Sequence, residues 1–243
     1  MMAPLGTYFV DRDQPPLSRM EARVVRRFQQ LYCRRWSAGA DTMNLSWFGH
    51  QVVKCPLDLW IYQELLLRTR PDFIVETGTW YGGSALYFAM LFDHLGNGHV
   101  ITIDNDVKPN RPEHPRISYI TGSSVDSAVI AQVQEAVGSH RAMVVLDSDH
   151  HAGHVYEEML VYSPLVQIGD YLVVEDTTVN GHPAFPDFGP GPMEAVDKFL
   201  YENDEFVIDQ RCERFLMTLY PRGYLRRSKK APTARLTDRQ LLG

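Results

Sequence analysis

The sequence predicts an α/β protein: a doubly wound, mainly parallel sheet of seven strands behind an N-terminal helical extension. Three observations predict it. Short apolar runs alternate with amphipathic stretches between residues 56 and 221, as in strand–helix units whose sheet is covered on both faces. The first run feeds a glycine-bearing turn and then a helix, which is where an open α/β sheet binds ligands. Acidic residues recur at the carboxyl ends of the runs: Glu76, Asp104, Asp147 and the pair Glu175–Asp176.

In chain order, residues 1–16 are proline-rich and irregular, and 17–38 show helical spacing with many arginines. Residues 39–55 read as a loop with exposed aromatics. Pro56 opens a helix in which Leu57, Trp60, Ile61, Leu65 and Leu66 repeat at helical spacing. "FIVE" (73–76), "HVITID" (99–104), "ISYI" (117–120), "AMVVLD" (142–147) and "YLVVE" (171–175) read as strands. Helices are expected at 84–95, 127–137, near 153–163 and at 193–202. "FVID" (206–209) and "RFLMTLY" (214–220) finish the sheet. The chain therefore divides into an extension and lid segment (1–55), one sheet domain (56–221) and a basic tail (222–243). That tail holds Arg222, Arg226, Arg227, Lys229, Lys230, Arg235 and Arg239 against the single acid Asp238. A solvated terminus is the plain reading of such a tail, and a phosphate or lipid-headgroup contact the other.

The formal charge of −6 and 44% hydrophobic content suit one sizeable core and argue against a nucleic-acid binder. Cys33, Cys55 and Cys212 are far apart, odd in number and without CxxC spacing, so neither a disulfide framework nor a zinc site is expected. No apolar run reaches the roughly 18 residues of a membrane span, and the start lacks the pattern of a signal peptide. No membrane association and a reducing cytoplasm are the expectation.

"VETGTWYGGS" (75–84) lies past a strand end and before a helix. Gly78, Gly82 and Gly83 let backbone approach a ligand closely. The spacing is not GxGxxG, whose first glycine would fall on Glu76. An acid there repels a pyrophosphate and suits an ammonium, which favours S-adenosylmethionine over NAD. Asp104 ends the next strand, where an acid can accept from both ribose hydroxyls. "TGSS" (121–124) supplies small polar residues for an adenine edge. Ordinary turn chemistry explains any one of these alone; their order at successive strand ends points to a cofactor.

"AMVVLDSDHH" (142–151) and "YLVVEDTTVNG" (171–181) put Asp147, Glu175 and Asp176 at the ends of two strands expected to be neighbours. Three carboxylates so close repel unless a cation joins them. Oxygen ligands without cysteine favour Mg²⁺, Mn²⁺ or Ca²⁺ over zinc. The alternative is that Asp147 caps a helix and Asp176 meets an arginine. A metal lowers the pKa of a bound hydroxyl, and a neutral imidazole can then take its proton. His150, three residues after Asp147, is the candidate base. His151 points elsewhere. "VNGHPAFPDFGPGPM" (179–193) is too long for a plain connection and reads as a covering loop in which His182 lines a substrate site. Trp47, in "WFGH", either folds over the cleft or packs.

"ETGTWYGGSALYF", "LDSDHH" and "VVEDTTVNGHPAFPDFGPGPMEAV" together resemble the cephalosporin hydroxylase/rhamnosyl O-methyltransferase family, from about Trp47 to Tyr220. The resemblance implies a Rossmann-like class I methyltransferase fold, S-adenosylmethionine as donor, a divalent metal, usually Mg²⁺, and an oligomer. It also implies that Asp147, Glu175 and Asp176 are metal ligands and His150 the base. Glu76, Gly78, Ser84, Asp104 and Ser123 are implied cofactor contacts, with Asp147 bordering the same cleft. Nothing here supplies the two histidines and carboxylate of a non-haem iron oxygenase, despite the "hydroxylase" in the family's name. The expected reaction is methylation of a sugar hydroxyl on a small acceptor. The rivals are a catechol-type methyltransferase, for which Trp47, Trp80 and Tyr81 speak, and a non-catalytic partner protein with the same fold.

Overall fold

A computed structural model describes residues 15–37 and 45–229. The proline-rich start, the stretch 38–44 and the basic tail beyond Lys229 lie outside the described residues. The sheet is built from β3 (Phe73–Thr77), β4 (His99–Asp104), β5 (Ile117–Thr121), β6 (Ala142–Leu146), β7 (Tyr171–Val174), β8 (Phe206–Ile208) and β9 (Tyr224–Arg227). Their spatial order is β5-β4-β3-β6-β7-β9-β8. The pairs from β5 to β7 are parallel, and β9 runs antiparallel to both β7 and β8. The strand order reverses between β3 and β6, and a doubly wound sheet opens its ligand crevice at such a switch point.

The helices fall close to where periodicity placed them: α1 (Arg19–Ser37), α2 (Pro56–Thr69), α3 (Gly83–Leu95), α4 (Ser127–Val137), α5 (Ala152–Tyr162) and α6 (Pro192–Glu202). Strands β6 and β7 are buried along their whole length, which is why they read as unbroken apolar runs rather than alternating ones. Two apolar layers result. One gathers Tyr62, Leu66, Phe88, Phe92 and Tyr224 on one face of the sheet. The other gathers Val133, Val144, Met159, Leu172 and Phe199.

Two expectations need correction. The last strand is not 214–220 but β9, in what the sequence suggested was tail. Segment 214–220 is spent differently: Leu219 N and Thr218 Oγ1 both donate to the buried Asp58, and Met217, Leu219 and Tyr220 fill the core. Its backbone N–H groups are spent on Asp58, on Thr218 Oγ1 and on local turns to Arg211 O and Glu213 O, so it forms no ladder. The segment before Pro56 is not all loop. Residues Leu45–Trp47 (β1) and His50–Val52 (β2) form an antiparallel hairpin. Phe48 and Gly49 turn it with φ of 49° and 86°, the doubly left-handed turn that matches strand twist.

Candidate functional site

Asp147 and Asp176 sit just beyond the ends of β6 and β7, which are direct neighbours. Asp147, His150 and Asp176 each offer one ligand atom, and these atoms lie within 4.8 Å of one another. His150 Nε2 is 3.2 Å from Asp176 Oδ2. Burial alone would lower the imidazole pKa, but the carboxylates of Asp176 and Asp147 win and raise it. Asp176 has φ of 52°, a left-handed turn that short acidic side chains tolerate.

Glu175 does not join this cluster. Both its oxygens accept from Lys54 Nζ at 2.7 Å, and Oε1 also accepts from Tyr62 Oη at 2.6 Å. Lys54 is itself 1% exposed and gives its remaining proton to Asp147 Oδ2 at 2.9 Å. Burial works against that ammonium, yet Asp147, Glu175 and Glu76 hold its pKa well above the usual value. The structure thus brings Asp147 and Asp176 together with His150, while Glu175, the third carboxylate the sequence expectation placed with them, contacts the internal cation Lys54.

Glu76, the penultimate residue of β3, is fully buried. Thr102 Oγ1 donates to its Oε2 at 2.7 Å, and Oε1 has no hydrogen-bond partner among the described residues. Burial pushes the Glu76 carboxyl upward against the pull of Lys54, and the Ser84 hydroxyl beside it also favours the ionised form. Gly78 has φ of 87°, and a Cβ there would lie 1.8 Å from the carbonyl oxygen of Asp147. Its close approach is therefore to the backbone just past the end of β6. Asp104 spends Oδ2 on Trp80 N (2.8 Å) and Oδ1 on Asp106 N (2.9 Å), with Arg111 3.4 Å away. It shapes the turn at the end of β4. Ser123 is exposed in the loop after β5.

Residues 40–228 match the family described as Rhamnosyl O-methyltransferase/CmcI. This chain belongs to that family. A rhamnosyl O-methyltransferase of Mycobacterium tuberculosis is 39% identical over 229 residues, covering 85% of this chain and 92% of the relative. The Mycobacterium leprae protein of the same name is 35% identical over 203 residues, covering 79% and 87%. Among solved structures, CmcI with Mg and SAM superposes with a TM-score of 0.60 at 23% identity, over 90% of this chain and 88% of that one. A putative caffeoyl-CoA O-methyltransferase from Staphylococcus aureus follows at 0.51 and 16%, over 76% and 84%. These two establish the methyltransferase fold.

The remaining candidates of this rhamnosyl O-methyltransferase/CmcI member divide. Trp47 packs: its ring meets Tyr87 edge-on at 5.0 Å, and its Nε1 donates to Met90 Sδ at 3.2 Å. His151 caps α5 from outside the cluster; its Nδ1 lies 2.5 Å from Asp149 Oδ1, and its ring is 5.4 Å from Phe188. His182 pairs with Glu194 at 2.9 Å. Glu194 also accepts from Asn180 Nδ2 (2.8 Å) and Gly191 N (2.7 Å), so one carboxylate knots both ends of the 179–191 loop to the start of α6. Burial raises the Glu194 pKa, but these donors outweigh it and bring it down to about 2. Pro190 O accepts from Ala152 N at 3.0 Å, which ties the loop to the helix after His150. Lys54, Tyr62 and Glu194 were invisible as site residues in the sequence. Lys54 gave one faint signal, a lone cation in the apolar stretch "VVKCP".

Proposed function

We propose that this chain transfers the methyl group of S-adenosylmethionine to a hydroxyl of a sugar, on a natural product or glycan, at a site holding Mg²⁺ or Mn²⁺. The observation that carries this is the convergence of Asp147, His150 and Asp176 within 4.8 Å at adjacent strand ends of a methyltransferase sheet. The sugar acceptor is supported by the names of the mycobacterial relatives.

The residues fit both groups. Asp147 and Asp176 offer hard oxygen donors from two strand ends. Lys54 engages only Oδ2 of Asp147. The buried Glu76 Oε1, without a hydrogen-bond partner among the described residues, suits the ammonium of the donor. A bound divalent ion polarises the acceptor hydroxyl and makes its proton easier to remove. His150 Nε2 receives that proton as the acceptor oxygen attacks; the methyl–sulfur bond breaks as the methyl–oxygen bond forms. Gly78, Ser84, Asp104 and Ser123 would border the nucleoside of the donor. The 179–191 loop, held by Glu194, keeps bulk water from the reacting atoms. Much of the rate gain is positioning.

Mass spectrometry of rhamnosides and related glycosides, incubated with S-adenosylmethionine and Mg²⁺, should show the gain of one methylene unit, lost in chelator. Full transfer in chelator overturns the role of the ion. Binding of the donor without methylation of any hydroxylated glycoside overturns the sugar reading.

We further infer a homo-oligomer in the cytoplasm that acts on small molecules, without nucleic-acid or membrane partners. Among the described residues no helix is long and apolar enough to cross a membrane. Met20, Val24, Phe28 and Leu31 form an exposed apolar stripe along α1, a surface that supports self-association. Light scattering of the purified protein checks it; a monomer overturns it.

A further inference from the structure

We propose that a polar face of α5 positions the donor: Glu158 and His154 tie the loop past β5 to the loop past β6, and so hold Ser123 at the adenine edge. The inference rests on the proposed function and goes beyond it.

His154, Glu158 and Tyr162 follow one another at four-residue intervals in α5, so they share one face of the helix. All three spend polar atoms on the two loops or on each other. Tyr162 Oη donates to the carbonyl oxygen of Ser124 at 2.6 Å. His154 Nε2 lies 3.1 Å from Ser124 Oγ and 3.4 Å from Glu158 Oε1. Ser148 Oγ donates to that same glutamate oxygen at 2.6 Å. Ser124 belongs to the loop between β5 and α4, and Ser148 directly follows Asp147 past the end of β6. Strands β5 and β6 are not neighbours, since β4 and β3 lie between them. One carboxylate oxygen is thus the meeting point of two loops whose strands do not touch.

The makeup of this junction argues for more than stability. Glu158 is fully buried, and its Oε2 has no hydrogen-bond partner among the described residues. A buried carboxylate with an open oxygen holds a fold together less well than a packed apolar side chain. The hydrogen bond from Glu158 raises the His154 pKa against burial, which strengthens the grip between the two. What the junction fixes is the width of the crevice. A donor laid across the strand ends meets both loops, and loops move more than the strands that carry them. Gripping both from one helix sets their spacing before the donor arrives, so less binding energy is spent on ordering them.

The test uses calorimetry with S-adenosylmethionine, alongside Mn²⁺ binding read by its paramagnetic resonance signal, on the full chain. Ser124→Ala cuts the β5 arm alone. It should weaken donor binding by about three- to tenfold, the worth of one hydrogen bond, and leave Mn²⁺ affinity within about twofold. Glu158→Ala frees both loops and should weaken the donor by about tenfold or more. Glu158→Gln keeps an oxygen for Ser148 and His154, and should restore donor affinity to within about threefold of the unaltered protein. A merely structural glutamate would lower the melting temperature of Glu158→Ala while donor affinity stayed within about twofold, and that result overturns the proposal. So does a Glu158→Gln variant that binds the donor as weakly as Glu158→Ala. Should Glu158→Ala not fold, Ser124→Ala alone decides, and an unchanged donor affinity there overturns the proposal. If the unaltered protein does not bind S-adenosylmethionine, the proposed function falls and this inference with it; if it binds and the variants bind equally well, only the role of α5 falls.

Discussion

His150 Nε2 lies 3.2 Å from Asp176 Oδ2, bridging the end of β6 and the end of β7. The two residues come from segments 26 positions apart in sequence (176 − 150), and parallel pairing of their strands brings them together. On the proposed function, the contact puts the proton-accepting nitrogen beside an ion-binding oxygen, the arrangement methyl transfer to a hydroxyl needs: one group would hold the charge that activates the oxygen, the other would remove its proton.

Asp176→Asn should separate ion binding from folding. Asparagine keeps the size of the side chain and tolerates the left-handed backbone at φ 52°. The side chain is 30% exposed, so the melting temperature should move by no more than about 2 °C. Affinity for Mn²⁺ or Mg²⁺, measured by calorimetry, should fall by at least about tenfold to a hundredfold. Asp147→Asn should weaken the ion too, but with a clear loss of stability, because it also strips a partner from the buried Lys54.

His150→Gln should lower methyl transfer by about 10²- to 10⁴-fold, the range for loss of a general base. Because donor binding is proposed at Glu76 and the glycine turn, the dissociation constant for S-adenosylmethionine should stay within about twofold. Transfer at near-normal rates would remove His150 from the reaction and leave it a packing or ion-binding residue.

How much of this was legible in the sequence follows from what makes each signal. Strands β3 to β7 and helices α2 to α6 announce themselves, because apolar period and turn residues agree there. Asp147, Asp176 and His150 were legible because strand ends of a doubly wound sheet converge by topology. The contact of Glu175 with Lys54 was not legible, because successive residues look equivalent in a string, and only the backbone at Asp176 sends them to different surroundings. Lys54 was barely legible. Its partners lie 93 and 121 positions away (147 − 54 and 175 − 54), and a lone cation in "VVKCP" is the one local mark of a lysine destined for burial. Strand β9 was missed for a related reason. Its two arginines read as tail, yet Arg227 reaches Glu205 and Val166 O from the antiparallel strand between β7 and β8.

Gly78→Ala should damage donor and ion sites together. The added Cβ would fall 1.8 Å from Asp147 O, on backbone that cannot swing aside, and φ of 87° is hostile to alanine. The end of β6 has to shift, and Asp147 with it. Stability should drop by about 2–4 kcal/mol, and calorimetry should show both S-adenosylmethionine and Mn²⁺ bound more weakly. Loss of the donor alone would mean that Gly78 serves the cofactor and not the contact between the two strands.

The acid limb of stability should be set in part by Asp209. Its carboxylate is 4% exposed and accepts from Arg211 Nε (2.7 Å), Arg211 Nη2 (2.8 Å) and Tyr171 Oη (2.7 Å). Burial would raise its pKa, but the arginine and tyrosine donors prevail and bring it down to about 2. The folded pKa is thus depressed below the unfolded value of about 3.9. The unfolded chain binds the proton first as pH falls. The stabilisation, about 2–3 kcal/mol, is therefore complete above about pH 5 and disappears between pH 4 and about pH 2. Asp209→Asn removes it at every pH. Urea denaturation of both proteins should show a gap of that size near neutrality that narrows steadily below about pH 4. A gap that stays constant into acid would mean that Asp209 acts through packing and not through its charge.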